Sequence, residues 1–441
     1  MPAHAVPLLQ DLIRINTVNP PGDEGQCVAY VERLLSAAGI STKIFGLDDR
    51  RTNLIARIPG RGEAPPLLLH AHSDVVGVTG QNWLYPPFDG LLVDGEVWGR
   101  GAIDMKGGLA MMLAALLNLR ERGESPAGDV VLAVVADEEA GSESGAGFLV
   151  REHPELFDDV RYAIGEEGGA GVELGGVRFH PIVVAEKRAA WLRLRLRGAG
   201  GHGSRLAPPD ATIARLGGVL TALSGVRLPR HPTAAADRML AALSDALPEP
   251  LAAEVARLRH DNVRDAVPSG LPLEEALLLD SVLRHTVNPT VVRASDKINV
   301  LPSEITVDLD GRILPGEFTM AGFLREVQDL VGHDGELEVL LEGEKVPADI
   351  AEPEFGPFYE CLTGVLRKLD PMGVPLPMVT PASTDARLFA RLGIRCYGWL
   401  PLRLPPGSGH RRLLHVANER VPVDALEFGT DCLTELLLGY R

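Results

Sequence analysis

Three apolar runs that break off abruptly into charged residues constrain the fold of this chain more than any other feature. LLLHAHSDVV (67–76) and VVLAVVADEEAGS (130–142) pass from branched aliphatic residues straight into His, Asp or Glu, and VRYAIGEEGG (160–169) repeats the pattern. Short continuous apolar runs are how strands read when both faces of a parallel sheet are covered. In open α/β sheets ligands sit in the crevice beyond the carboxyl ends of the strands. The residues just past each run are therefore site candidates: His72 and Asp74, Glu138 and Glu139, Glu166 and Glu167. GRGAIDMKGG (99–108) adds Asp104 at the entry to a helix rich in Ala, Leu and Met, expected over 105–121. Imidazole and carboxylates converging from several strand ends form a ligand set suited to zinc or its neighbours.

The rest of the chain supports this α/β reading. Helices are expected at 4–17 and 23–39, the second with Val28, Val31, Leu34, Leu35 and Ala38 on one face and Gly39 as its stop. STKIFGL and NLIARIP read as strands, and DGLLVDGEVWGRG as a hairpin turning at Asp94-Gly95. Strands alternating with helices predict a mixed, largely parallel sheet flanked by helices. Near residue 187 the style changes: AAWLRLRLRGAG alternates Leu192, Leu194 and Leu196 with arginine, the pattern of a strand with one wet face. A helix at 209–224, strands within 297–316, a helix at 318–331 and a strand at ELEVLLEGE follow. That order is ferredoxin-like. The prediction is a catalytic domain in two parts, 1–186 and 348–441, with a lid domain at 187–347 carrying a helical insertion at about 228–290. Hinges fall near 186–188 and 346–350, and the last helix covers 423–438.

Taken singly, each polar candidate has an ordinary explanation. On a strand end, residues two apart point the same way, so Asp74 can hold the second nitrogen of His72 and orient it as a ligand. His70 has the same parity but sits deeper in the run and reads as a core histidine. Asp104 alone is an adequate helix cap. Glu138 and Glu139 face different ways, so one can ligate while the other meets a water. Four such sites in series, with His415 late in the chain, form a set that isolated explanations do not cover. Gly198–Gly203 satisfies a dinucleotide-binding spacing, but its strand alternates with arginine and Pro208-Pro209 delays the next helix. No acidic residue lies ~20 positions beyond.

Charge and composition exclude other classes. With 43 basic and 60 acidic residues the formal net charge is −17, which disfavours nucleic acid and anionic membranes as partners. MPAHAVPLLQDLIRIN lacks the basic-then-apolar order of a secretory leader. LAMMLAALLNL (109–119) is too short to span a bilayer. The four cysteines, Cys27, Cys361, Cys396 and Cys432, are scattered, which fits buried thiols in a reducing cytoplasm.

HAHSDVV, GRGAIDMKGG, ADEEAGS, IGEEGG, GAGGHGS, KINVLPSE, DGRILPG, STDARLF and LHVANERV occur in an order that resembles a known family. It is the dinuclear zinc amidohydrolases, the twentieth metallopeptidase family. Its members include aminoacylase-1, acetylornithine deacetylase, succinyl-diaminopimelate desuccinylase and the glutamate and yeast vacuolar carboxypeptidases. WLYPPFDG, the EEGG form of the fourth segment and the insertion look like the carboxypeptidase S and N-acyl-amino-acid hydrolase branch. The resemblance implies hydrolysis of an amide or peptide bond next to a free carboxylate, in an N-acyl-amino acid or small peptide. A biosynthetic deacetylase or desuccinylase, or a catalytically silent metal-binding scaffold, are the rival readings. By matching motif, Asp104 is expected to bridge two Zn²⁺ ions, with Co²⁺ or Mn²⁺ also fitting. His72 and Glu166 complete one site, Glu139 and His415 the other; a one-residue slip exchanges Glu166 and Glu167. Glu138 matches the general base acting on a water between the metals, Asp74 the orienter, and His202 a lid histidine that stabilises the oxyanion in a partner subunit. Asn299 and Arg312 match substrate-contacting lid positions. Ser383, Thr384, Asp385 and Arg387 match a pocket loop, and Gly407 the segment leading to His415. A homodimer through the lid is the implied assembly.

Overall fold

Leu67–His72, Val130–Val135 and Tyr162–Gly165 are buried at every residue, as unbroken aliphatic runs require when helices cover both faces of a sheet. In the computed structural model, which describes residues 4–260, 268, 270–332, 335–340 and 353–441, these strands form the centre of a mixed nine-stranded sheet. Side by side lie Thr42–Gly46, Thr52–Ile58, Val130–Val135, Leu67–His72, Tyr162–Gly165, Arg395–Gly398, Val177–Glu186 and Gly373–Thr380, with Val172–Leu174 paired to Val177–Glu186. The four central strands, Val130–Val135 to Arg395–Gly398, run parallel. Their register aligns His72 with Val135 and Leu69 with Ile164. The polar residues that follow each run therefore emerge at one edge.

One face of this sheet carries the helices Ala5–Arg14, Gly25–Ala37, Lys106–Glu121, Pro357–Leu369 and Val423–Gly439, whose apolar residues join one large core. The other face is covered by Ala146–Glu152 and Ala386–Phe389, with Phe148, Phe157 and Phe389 at its centre. The expected helices, strands and Asp94-Gly95 hairpin appear close to their anticipated positions.

A second sheet begins beyond Glu186. Leu192–Arg197 alternates buried leucines with arginines that pair across strands, Arg193 to Asp308 at 2.7 Å, Arg195 to Glu304 at 2.8 Å and Arg197 to Glu336 at 2.9 Å. Thr286–Arg293, Glu304–Ile313, Leu192–Arg197 and Gly335–Val339 lie in that order, all antiparallel. Thr212–Gly225 and Met320–Val331 pack on one face to make a separate core. This is the ferredoxin-like order. The end of ELEVLLEGE beyond residue 340 and the return crossing expected at 346–350 lie outside the described residues.

The helical insertion differs from expectation in extent and in partner. Ala234–Ala246, Leu251–Arg257 and Leu273–Ser281 are its helices, but 286–290 belong to strand Thr286–Arg293. Ala235, Met239 and Leu243 (spaced by four) join the core of the large sheet, not that of the small one. An amphipathic stripe demands an apolar partner without naming which one.

Candidate metal centre

The parallel register delivers three segments to one place, and their side chains converge. The Nε2 of His72 lies 3.0 Å from Asp104 Oδ1 and 3.2 Å from Glu166 Oε2. His415 Nε2 lies 3.0 Å from the other Asp104 oxygen and 3.4 Å from Glu139 Oε2. Asp104 thus stands between two histidines. Donor atoms of His72, Glu138 and Glu166, and of His72, Asp104 and Glu139, lie within 4.8 Å of one another. Glu166, not Glu167, faces His72; Glu167 accepts from Thr380 Oγ1 at 3.4 Å.

The tautomer of His72 follows from its other nitrogen. Nδ1 donates to the main-chain oxygen of Asp74 at 3.0 Å, so Nε2, which faces the carboxylates, is the nitrogen left to ligate a metal when the ring is neutral. The Asp74 carboxylate is 3.6 Å from Nδ1, too far for the hydrogen bond the spacing suggests. It accepts instead from the main-chain N–H of Glu138 and of Glu139, each at 3.1 Å, and from the Asn19 amide at 2.9 Å. Asp137, Glu167 and His415 sit at φ of 69°, 61° and 60°, a conformation uncommon outside glycine and concentrated at functional sites.

The electrostatics are those of crowded carboxylates. Burial, then the neighbouring Glu166, pushes Glu138 well above its ordinary range, and burial likewise raises Glu166. Burial opposes charge on His72, but Glu166 and Asp104 hold it well above its usual value. Hydrogen bonds to Asp104 and Glu139 push His415 up to about 10. Glu139 Oε1 is buried with no hydrogen-bond partner among the described residues, a costly state for a carboxylate oxygen. Two imidazoles, a shared carboxylate, flanking glutamates and an orphaned oxygen suit a pair of divalent cations.

A cleft of about 1270 Å³ opens beside Glu138 and Glu139, bounded by Arg312 and Trp191 of the second sheet and by Ser383, Arg387 and Arg391. Other expected contacts fall elsewhere. Thr384 is buried, and both its main-chain N–H and its hydroxyl donate to Glu186. Gly407 lines a separate groove with Arg178 and Glu274. His202 and Asn299 are exposed on the small unit, His202 accepting from Ser204 Oγ at 2.8 Å. His70 is buried against Phe389, and burial pushes it down to about 3.

Sequence reasoning missed Glu419 and Asn19. Glu419 is wholly buried, accepts the main-chain N–H groups of Gly101, Ile103 and Asp104 at 3.1, 2.7 and 3.1 Å, and pairs with Arg100 at 2.5 Å. It holds the loop that presents Asp104. Its local signal was only its place four residues after His415.

Known proteins share both sequence and architecture with this chain. Aminoacylase-1 of Sus scrofa is 25% identical over 441 residues, covering 98% of this chain and 94% of the relative. The N-fatty-acyl-amino acid synthase/hydrolase of Homo sapiens is 27% identical over 384 residues, covering 84% and 73%. The M20 family metallo-carboxypeptidase Sso-CP2 of Sulfolobus solfataricus superposes with a TM-score of 0.69 at 17% identity, covering 98% of both chains. The model of Peptidase family M20/M25/M40 matches residues 68–439. With its sheet, its strand-end cluster and that match spanning most of its length, the chain belongs to Peptidase family M20/M25/M40.

Proposed function

We propose that this protein hydrolyses the amide or peptide bond of an N-acyl-amino acid or small peptide next to a free carboxylate, using two zinc ions. The observation that carries the reading is the convergence of His72, Asp104, Glu139, Glu166 and His415, with Glu138 against them. His72 and Glu166 would hold one ion, Glu139 and His415 the other, with Asp104 placed between the two histidines. When bound, such a pair supplies Lewis acidity toward the scissile carbonyl and acidifies water. Glu138 accepts the proton of the attacking water and returns it to the leaving nitrogen as the C–N bond breaks, giving a carboxylic acid and a free amine.

Arg312, on the cleft wall shared with Glu138, is held by Asp310 through Nε and Nη2 at 2.8 and 3.2 Å, and its guanidinium, with five N–H donors in all, is suited to the substrate carboxylate. The names of the aminoacylase and of the fatty-acyl-amino acid relative support an N-acyl-amino acid substrate. Exposed Ile298, Val300, Val291 and Val292 on the small unit support a homodimer through that unit, which lends His202 to the partner's cleft. Movement of the small unit about 186–188 closes the cleft and excludes water. Four free cysteines support a reducing, cytoplasmic setting.

Glu138→Gln tests the reading: metal content measured by plasma mass spectrometry persists while turnover of N-acyl-amino acids falls about 10²- to 10⁴-fold. Undiminished turnover overturns the assignment of the base.

A further inference from the structure

The carboxylate cluster has a second side, and it is apolar. Next to the carboxylates of Asp104, Glu166 and Glu167 lies a cavity of about 90 Å³ whose other walls include Met105, Leu400, Leu402 and Leu414. Pro181 and Met378 also line it, and the same two residues line a second cavity of about 60 Å³. That one runs between the large sheet and the helices Ala234–Ala246 and Leu273–Ser281, against Met239, Leu243, Leu279 and Val282. Its one carboxylate, Glu275, is shared with the outer groove along Pro405, Pro406 and Gly407.

We propose that the two cavities form one acyl channel, and that the substrates carry an unbranched apolar acyl chain of roughly six to eight carbons. This rests on the hydrolase reading and names its acyl group. The polarity follows that of an N-acyl-amino acid: carboxylates at the mouth where the carbonyl reacts, aliphatic side chains where the tail lies. Arg312 stands in the other cleft, with Glu138 and Ser383, so the amino-acid carboxylate and the tail have separate sides.

Size and chemistry agree. An apolar cavity of about 150 Å³ takes up benzene, and these two together are of about that size. The partition between them includes Met378, an unbranched thioether that repacks at low cost. Among the described residues, no lysine or arginine lines either cavity. A succinyl group would therefore bury its second carboxylate unpaired, a costly transfer. The far wall comes from the insertion helices, through Met239, Leu243, Leu279 and Val282.

The test is a chain-length series on one amino acid, from acetyl through butanoyl, hexanoyl and octanoyl to dodecanoyl, with the zinc-loaded protein. Expected is a rise in kcat/KM of about threefold to fourfold per methylene, levelling near octanoyl. Met239→Phe and Leu279→Phe, on different helices so that one misfolded variant is not decisive, each lower the octanoyl-to-acetyl ratio about tenfold. A flat or falling profile with active acetyl substrate overturns the channel and leaves the hydrolase reading standing. If no substrate turns over, the hydrolase reading fails and calorimetry with octanoate decides the channel alone. Saturable binding that Met239→Phe weakens sustains it, and no heat overturns it.

Discussion

The Asp74 carboxylate accepts the main-chain N–H of Glu138 at 3.1 Å. Its second oxygen does the same for Glu139 at 3.1 Å and takes the Asn19 amide at 2.9 Å. One wholly buried side chain thus sets the position of both carboxylates, while its own carbonyl sets the imidazole of His72. Burial opposes its charge, but contacts with His72, Asn19 and the Glu139 N–H keep it below the ordinary carboxylate range.

Asp74→Ala removes the acceptor from three donors at once, each costing about 1–3 kcal/mol when left unsatisfied. Metal affinity should weaken about 10- to 100-fold, read by competition with a chromogenic chelator, and the melting temperature should fall. An unchanged affinity would show that Asp74 does not organise the site.

Glu419→Ala should be more damaging to stability than to any single contact. It takes the carboxylate from the buried guanidinium of Arg100, which keeps the neutral Gln81 oxygen at 3.0 Å, and frees the three amides leading into Asp104. Breaking one side of a buried pair costs about 3–5 kcal/mol. Thermal melts should show that loss, and replacing Arg100 and Glu419 together by Met should recover part of it. Equal melting temperatures for the wild type and Glu419→Ala refute the role.

Lys187 predicts a pH dependence. Its Nζ donates to Ser281 O and Thr286 Oγ1, both at 2.9 Å, and burial, with Arg312 nearby, pushes it down from 10.5 to about 7. Between about 7 and 10.5 the unfolded chain holds a proton that the folded chain has released, so this residue makes stability rise with pH across that window. Lys187→Met removes the proton and should flatten the slope of melting temperature against pH there. The same slope in both proteins would sink the claim.

Arg312→Ala should raise KM about 10- to 100-fold with little change in kcat, since it removes binding common to ground and transition states. Arg312→Lys should not restore it, because an ammonium lacks the two-pronged geometry. Steady-state kinetics on one N-acyl-amino acid decide; a loss confined to kcat contradicts a carboxylate-binding role.

Some of this was legible residue by residue. The runs 67–72 and 130–135 announced strands buried on both faces, and the residues after them became the cluster. The alternation at 192–197 announced a strand with one charged face. Other features left no local trace: Glu419 reaching Asp104, Asp74 accepting from Glu138 rather than from His72, and Met239 packing on the large sheet.

By itself the sequence determined which segments are strands and helices, which faces are apolar, and which side chains stand ready at the strand ends. Those properties follow from side-chain geometry within a few neighbouring residues. Only the tertiary structure decided that Asp104 lies between His72 and His415, that Glu166 rather than Glu167 joins them, and that two apolar cavities meet at Pro181 and Met378 between the cluster and the insertion. Strand order, register and loop path bring together residues far apart in the chain, and no local period encodes those distances.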